Sequence, residues 1–134
     1  MTEQPLRPTN TGPGRILIAV YGIFALAACA RAGVQLATKF AEAPLAYLLS
    51  AAAGVIYIVA TVTLGRGSRT SWRVALVAIL IEAVGVLCVG TASLVDPAAF
   101  PKATVWSAYG IGYGFVPLVL PFLGLAWLIK TRPR

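Results

Sequence analysis

The amino-acid sequence predicts an all-α polytopic membrane protein in which four transmembrane helices form a compact up-down bundle. Composition is the first observation: 59% of the residues are hydrophobic and 11% are charged, against roughly 45–50% and 25% in soluble domains. Spacing is the second, because four apolar stretches fill most of the 134 residues. Each stretch is long enough to form a helix of about 20 residues, which crosses a hydrocarbon layer about 30 Å thick.

The chain is expected to begin with a disordered cytoplasmic tail over residues 1–14, because prolines and glycines interrupt a polar segment there. The first span is predicted at about 15–39. A secretory signal is the rival interpretation, since Arg15 precedes an apolar run. We favour a retained span, because the run continues towards Thr38 and three further spans follow.

The second and third spans are predicted at about 44–64 and 72–94. Pro44 suits the first turn of a helix, where its missing N–H would be unpaired anyway. A polar, glycine-rich turn over 65–71 separates these spans, and the Asp-Pro pair at 96–97 is expected to end the third.

The fourth span is predicted at about 103–129, and the four spans form one domain over 15–130, followed by a basic cytoplasmic tail at 131–134. The composition of the fourth span predicts a kink, because proline removes a backbone donor and clashes with the carbonyl four residues back. Interrupted helices can line ion or substrate sites, but we favour the simpler interpretation that a short bundle needs curvature. The candidate hinge residues are Gly110, Gly112, Gly114, Pro117 and Pro121.

The distribution of lysine and arginine between the flanks of the spans predicts the orientation, because these residues stay preferentially on the cytoplasmic side. Eight lie on one side, against Lys39 and Lys102 on the other. Both termini are therefore expected on the cytoplasmic side of the membrane, with anionic headgroups beside the basic residues. This placement explains the net charge of +7 without nucleic acid, which is not expected as a partner. The eight residues are Arg7, Arg15, Arg66, Arg69, Arg73, Lys130, Arg132 and Arg134.

Glu82, in the middle of the third span, is the first candidate for chemistry. It lies nine residues after Arg73, about 13 Å into a layer about 30 Å thick. A carboxyl group there must be protonated, paired with a cation or in contact with water, and an intramembrane acid is a functional-site hypothesis by default. Arg31 is the candidate partner, at an axial offset of roughly 10 Å. It can also reach the outer headgroups, so both positions of Arg31 stay open.

Polar and small residues recur in steps of three and four along the first three spans, a spacing typical of helix contacts in membranes. Tyr47, Ser50 and Tyr57 are candidates to hydrogen-bond the charged pair. Gln35 is a candidate charge or substrate contact. The alternative is that these residues only pack the bundle.

The sequence contains no recognisable metal or catalytic motif. It has no histidine, and its acids, Glu3, Glu42, Glu82 and Asp96, are scattered over different flanks and spans. A zinc, haem or di-iron site is therefore not expected, and intramembrane acid–base catalysis lacks a second group at matching depth. We expect no catalytic residue, no metal, no cofactor and no enzymatic activity.

Two stretches carry a resemblance to known proteins: residues 31–47, RAGVQLATKFAEAPLAY, and residues 105–113, VWSAYGIGY, with Pro117 and Pro121 behind them. They resemble small four-span membrane proteins of unassigned function from high-GC Gram-positive bacteria, which implies a bacterial plasma-membrane protein and supplies no activity. The chain is also similar in size and chemistry to the small multidrug-resistance exporters, which exchange protons through one buried glutamate. Their glutamate lies in the first span, whereas Glu82 is in the third, so this is analogy and not kinship.

Two functional hypotheses follow, with an intramembrane enzyme a distant third. The leading one is a non-enzymatic accessory or assembly subunit, whose partner is another membrane protein or a second copy of the chain. The alternative is a small proton-coupled carrier with Glu82 as the proton-binding group, Arg31 and Gln35 as contacts, and residues 110–117 as a gate. A closed environment around Glu82 favours the subunit, and an opening from one membrane face to Glu82 favours the carrier.

Overall fold

The structure, a computed structural model, describes residues 8–132, which form helices and contain no strand. Three of the helices are each long and apolar enough to cross a membrane, and a fourth span is obtained if a bent pair of helices counts as one. The four α-helices are α1 (Pro13–Thr38), α2 (Pro44–Arg66), α3 (Arg69–Val95) and α4 (Val116–Lys130), and short 3₁₀ segments cover Phe40–Glu42, Pro97–Ala99 and Ser107–Tyr113.

Proline and glycine mark several helix ends. Pro44 lies in the first turn of α2, where a missing N–H costs no helical hydrogen bond. Gly67 ends α2 in the left-handed region, at φ 69°, which glycine adopts without a steric penalty. Ser68 then caps α3, because its hydroxyl accepts from the N–H of Ser71 at 3.1 Å. The connection between α2 and α3 is therefore only two residues long.

The segment before α1 differs from the expected disordered tail where the structure describes it; residues 1–7 lie outside the described part. Thr9 is buried, and its hydroxyl donates to the carbonyl of Leu64 at 2.5 Å. The indole N–H of Trp127 donates to the carbonyl of Thr9 at 2.9 Å. These bonds attach the segment to the ends of α2 and α4. The carbonyl of Leu64 is available as an acceptor because it lies in the last turn of α2, where carbonyls have no partner within the helix.

Small residues allow the helices to pack closely, as is usual in membrane bundles. A Cβ atom at Gly54 of α2 would lie 2.8 Å from the Sγ atom of Cys29 in α1. A Cβ at Gly124 of α4 would lie 3.0 Å from the side chain of Ile79 and 3.1 Å from the hydroxyl of Tyr21. At these two positions, side chains of neighbouring helices occupy the space that a Cβ atom would fill.

The fourth apolar stretch differs from the expected single kinked helix over 103–129. Its α-helix begins only at Val116, and the 3₁₀ segment before it is bent by 99° from α4. Gly114 and Phe115, with φ 65° and 62°, occupy the left-handed region at the bend. A right-handed helix cannot continue through residues in this conformation, so the helix is broken here instead of curved.

The remaining candidate hinge residues lie on either side of this bend. Gly110 is buried, and a Cβ there would lie 2.7 Å from the ring of Pro117, which begins α4. Gly112 lies in open space within the 3₁₀ segment. Pro121 lies inside α4, which continues to Lys130.

Most of the described basic residues lie at one end of the bundle. Besides the bonds of Thr9, the indole N–H of Trp72 donates to the carbonyl of Leu128 at 2.9 Å, so the start of α3 and the end of α4 meet. At the opposite end, Lys102 and Glu42 form an exposed ion pair at 4.0 Å. The cytoplasmic location of the basic end stays a prediction. The described basic residues at this end are Arg15, Arg66, Arg69, Arg73, Lys130 and Arg132.

Candidate functional site

Glu82 of α3 lies at the centre of the bundle with none of its surface exposed. The hydroxyl of Tyr21 in α1 donates to its Oε1 atom at 2.6 Å. Its second oxygen, Oε2, is buried and has no hydrogen-bond partner among the described residues. The carboxyl group therefore has one satisfied and one unsatisfied oxygen, and burial without a partner is costly for a polar atom.

Aromatic rings from three segments surround this contact. The ring of Tyr21 lies 6.1 Å from that of Tyr57 in α2, measured between centroids. The hydroxyl of Tyr57 accepts from the indole N–H of Trp106 at 2.9 Å, and the two rings meet edge to face. The Trp106 ring in turn lies against Gly85, where a Cβ would be 2.5 Å from it. We call Glu82, Tyr21, Tyr57 and Trp106 the polar-aromatic cluster.

The sequence missed two members of the cluster. Tyr21 lies in the same small and polar stripe of α1 as Arg31, ten residues earlier, so the spacing contained a signal for it. Trp106 follows the loop between the third and fourth stretches, where amphipathic rings are favoured at a membrane interface, but it is buried. The break in the fourth segment brings Trp106 against α3, and nothing in its local sequence indicates this position.

Arg31 does not pair with Glu82 in the structure. It is exposed, and its Nη1 atom donates to the hydroxyl of Tyr113 at 3.2 Å. Tyr21 is the residue of α1 level with Glu82, and Arg31 lies ten residues further along, which is about 15 Å along a helix. This distance is larger than the roughly 10 Å offset expected from the sequence, and it explains why the side chains do not meet.

The other candidate site residues lie apart from Glu82. The buried hydroxyl of Ser50 and the buried Oε1 atom of Gln35 have no hydrogen-bond partner among residues 8–132. Tyr47 packs in a separate small apolar cluster with Ala43 and Ala46. Ser50 lies seven residues from Tyr57, about 10 Å along α2. Of the candidates, the structure therefore brings only Tyr57 into the cluster around Glu82.

The bent region before α4 is attached to α3. The hydroxyl of Tyr109 is 2.8 Å from that of Thr91, and the N–H of Ala108 donates to the Ser93 hydroxyl at 2.8 Å. The ring of Tyr109 lies against Gly90, where a Cβ atom would overlap it. These contacts hold Ala108 and Tyr109 at φ 48° and 62°, a conformation that costs about 1–2 kcal/mol per non-glycine residue.

An apolar groove of about 850 Å³ lies between α1 and α4. The α1 wall includes Ile16 and Val20, and the α4 wall includes Val119 and Leu123. Two smaller grooves, of about 370 and 450 Å³, lie on other faces of the bundle. Glu82 lines none of these three grooves, so they are separate from the polar-aromatic cluster.

The fold and the site define a helical membrane protein whose buried carboxyl group contacts a phenol. No protein-family model, curated protein or solved structure matches the chain. The resemblance to small four-span bacterial membrane proteins therefore stays a prediction. Function has to be argued from the polar-aromatic cluster and from the surface of the bundle.

Proposed function

We propose that this chain is a non-enzymatic accessory or assembly subunit of the bacterial plasma membrane, with both termini in the cytoplasm. The observation that carries the proposal is the closed environment of Glu82, which is fully buried and bonded to Tyr21. A proton or substrate site needs access from one membrane face. A carboxyl group enclosed by aromatic rings instead serves to join helices, because a polar contact in an apolar interior fixes which side chains meet.

The contacts of the cluster support this structural role. The Tyr21–Glu82 bond joins α1 to α3, and the Trp106–Tyr57 bond joins the fourth segment to α2. The ring contact between Tyr21 and Tyr57 links these two pairs of segments. Loss of either bond would leave a polar atom in a medium without water, where it has no replacement partner.

The apolar exterior supports the assembly part of the proposal. Large hydrophobic side chains project outward from all four α-helices, for example Leu26, Ile58, Val84 and Leu123. Such a surface is compatible with lipid and with helices of a neighbouring membrane protein, since helices associate in membranes through packing. The partner is another membrane protein or a second copy of this chain.

Proton flux into proteoliposomes tests the proposal. Wild-type protein, Glu82→Gln and the matched control Glu42→Gln, which changes the half-exposed acid of the loop, are reconstituted with a pH-sensitive dye inside. We expect no flux above that of empty vesicles for any variant. In the native membrane, crosslinking followed by purification should recover the same membrane-protein partner, or a dimer, with the wild type and with Glu42→Gln.

The alternative, a small proton-coupled carrier with Glu82 as its proton-binding group, is favoured by one observation. The buried Oε2 atom of Glu82 has no hydrogen-bond partner in the described part of the chain, and this oxygen could hold a proton that is later released. Proton flux or gradient-driven uptake that is present in the wild type and in Glu42→Gln, but lost in Glu82→Gln, would establish the carrier and refute the subunit.

A further inference from the structure

We propose that the groove between α1 and α4 is a specific site for one anionic phospholipid, with the acyl chains along the groove and the headgroup at Lys130. This inference is independent of the choice between subunit and carrier, because the groove and Glu82 do not share residues. It adds a defined position and a stoichiometry to the general attraction that a basic membrane protein has for anionic headgroups.

The packing of α4 creates the groove. Because the chain is bent by 99° before Val116, α4 packs against α3 and the 3₁₀ segment, whereas α1 packs mainly against α2. α1 and α4 touch at Tyr21 and Gly124, and the groove lies between other facing residues of the two helices. The groove reaches the backbone break, because Gly114 and Val116 are among its lining residues.

The dimensions of the groove suit acyl chains. Its volume of about 850 Å³ lies within the range of about 300–1,000 Å³ found for small-molecule sites. Its lining extends along α4 from Val116 to Lys130, about 21 Å at the rise of a helix. One leaflet of the hydrocarbon layer is about 15 Å thick, so the groove is long enough for chains that cross a leaflet.

The chemistry of the lining is that of a lipid with a charged head. Lys130 is the charged residue among those that line the groove, and it lies at one end. The remaining side chains are apolar, apart from the indole of Trp127, whose N–H is already bonded to Thr9. An apolar trough with a cation at its end is complementary to acyl chains and a phosphate group.

The charge around Lys130 is not compensated within the described residues. Arg15 in the first turn of α1 and Arg132 just after α4 are exposed near the same end of the bundle. The described acids lie elsewhere: Glu42 and Asp96 are at the opposite end, and Glu82 is buried in the centre. An anionic headgroup supplies the negative charge that the described residues at this end lack.

Native mass spectrometry of the full chain in detergent, titrated with phosphatidylglycerol or phosphatidylcholine, tests the proposal. We expect one phosphatidylglycerol per chain, bound about fivefold more tightly than phosphatidylcholine, the effect of one lysine near an anionic surface. Lys130→Gln should abolish this preference. The matched control is Arg66→Gln, which removes an exposed charge from the same end of the bundle outside the groove and should retain the preference.

A second pair of variants tests the apolar part of the site. Val119→Trp places a large ring in the groove and should weaken binding of both lipids, whereas Val84→Trp, on an exposed face of α3, should not. Circular dichroism checks that each variant is folded. The proposal is overturned if Arg66→Gln lowers the preference as much as Lys130→Gln does, or if lipid binding is unchanged in Val119→Trp. It is also overturned if the wild type is a dimer that Val119→Trp dissociates, because a second copy would then occupy the groove.

Discussion

α3 and the fourth segment are both apolar and both contain glycines, but their backbone conformations differ. α3 continues as an α-helix for 27 residues although it contains Gly85 and Gly90. The fourth segment, with Gly110, Gly112 and Gly114, forms a 3₁₀ turn and a separate α-helix bent by 99°. In α3 the glycines stay helical and accept the rings of Trp106 and Tyr109. In the fourth segment Gly110 and Gly114 adopt positive φ.

This difference teaches that the role of a glycine in an apolar stretch depends on its neighbours. Around Gly85 and Gly90, α3 continues as a helix. The missing Cβ atom of each glycine leaves a notch, a space that a ring of another segment occupies. Around Gly114, prolines lie close behind, and proline supplies no N–H to continue a helix. The rings of Trp106 and Tyr109, which precede the bend, fill the spaces left by the missing Cβ atoms of Gly85 and Gly90.

The largest expected effect comes from filling one notch. Gly85→Leu places a Cβ atom 2.5 Å from the Trp106 ring and should lower the free energy of unfolding by about 3 kcal/mol, the cost of overpacking a filled core. Denaturation of the detergent-solubilised protein by sodium dodecyl sulfate, followed by circular dichroism, measures the change. The matched control, Gly33→Leu, lies in α1 with open space around it and should change stability little. Equal effects of the two substitutions would contradict the role of Gly85 as a notch.

The next effect concerns the bond between α1 and α3. Tyr21→Phe removes the donor to the buried Oε1 atom of Glu82 and leaves both carboxyl oxygens without a partner. We expect a loss of about 2 kcal/mol, the usual cost of an unsatisfied buried acceptor. Tyr109→Phe, which removes an exposed bond to Thr91, is the control and should cost less in the same denaturation assay. A neutral Tyr21→Phe would show that the cluster does not hold the helices together.

A smaller effect of opposite sign is expected at the bend. Phe115 has φ 62°, and Phe115→Gly should raise the free energy of unfolding by about 1 kcal/mol, because glycine adopts this region without the Cβ clash. Ile111→Gly is the control, since Ile111 is exposed and outside the residues with positive φ; it should lower stability slightly. Destabilisation by both substitutions would indicate a continuous helix through the bend.

The smallest effect is expected at the end of the bundle opposite Lys130. Lys102 and Glu42 are each about half exposed and 4.0 Å apart, so Glu42→Gln should cost less than about 1 kcal/mol. Raising the salt concentration should reduce the difference between the wild type and Glu42→Gln, because salt screens exposed pairs. A larger, salt-independent loss would mean that this pair, and not the notches of α3, positions the fourth segment.

Hydropathy alone predicts much of the fold and little of the site. α1, α2 and α3 overlap the first three apolar stretches, and Glu82, placed near the membrane midplane by its position along the third stretch, is buried among the helices. The partner of Glu82 was not predictable in this way. Arg31 was the obvious opposite charge. The contact is decided by which residue of α1 lies level with Glu82 along the axis of the bundle, and that residue is Tyr21.

The sequence by itself determined that this chain is helical and suited to a membrane, because the transfer of apolar side chains into lipid is a sum over local residues. Tertiary structure decided the bond of Glu82 to Tyr21, the break before α4 and the groove beside it. Tyr21 and Glu82 lie 61 residues apart, and Trp106 contacts Gly85 of a different helix. Such contacts depend on the relative positions of whole helices, which local composition does not specify.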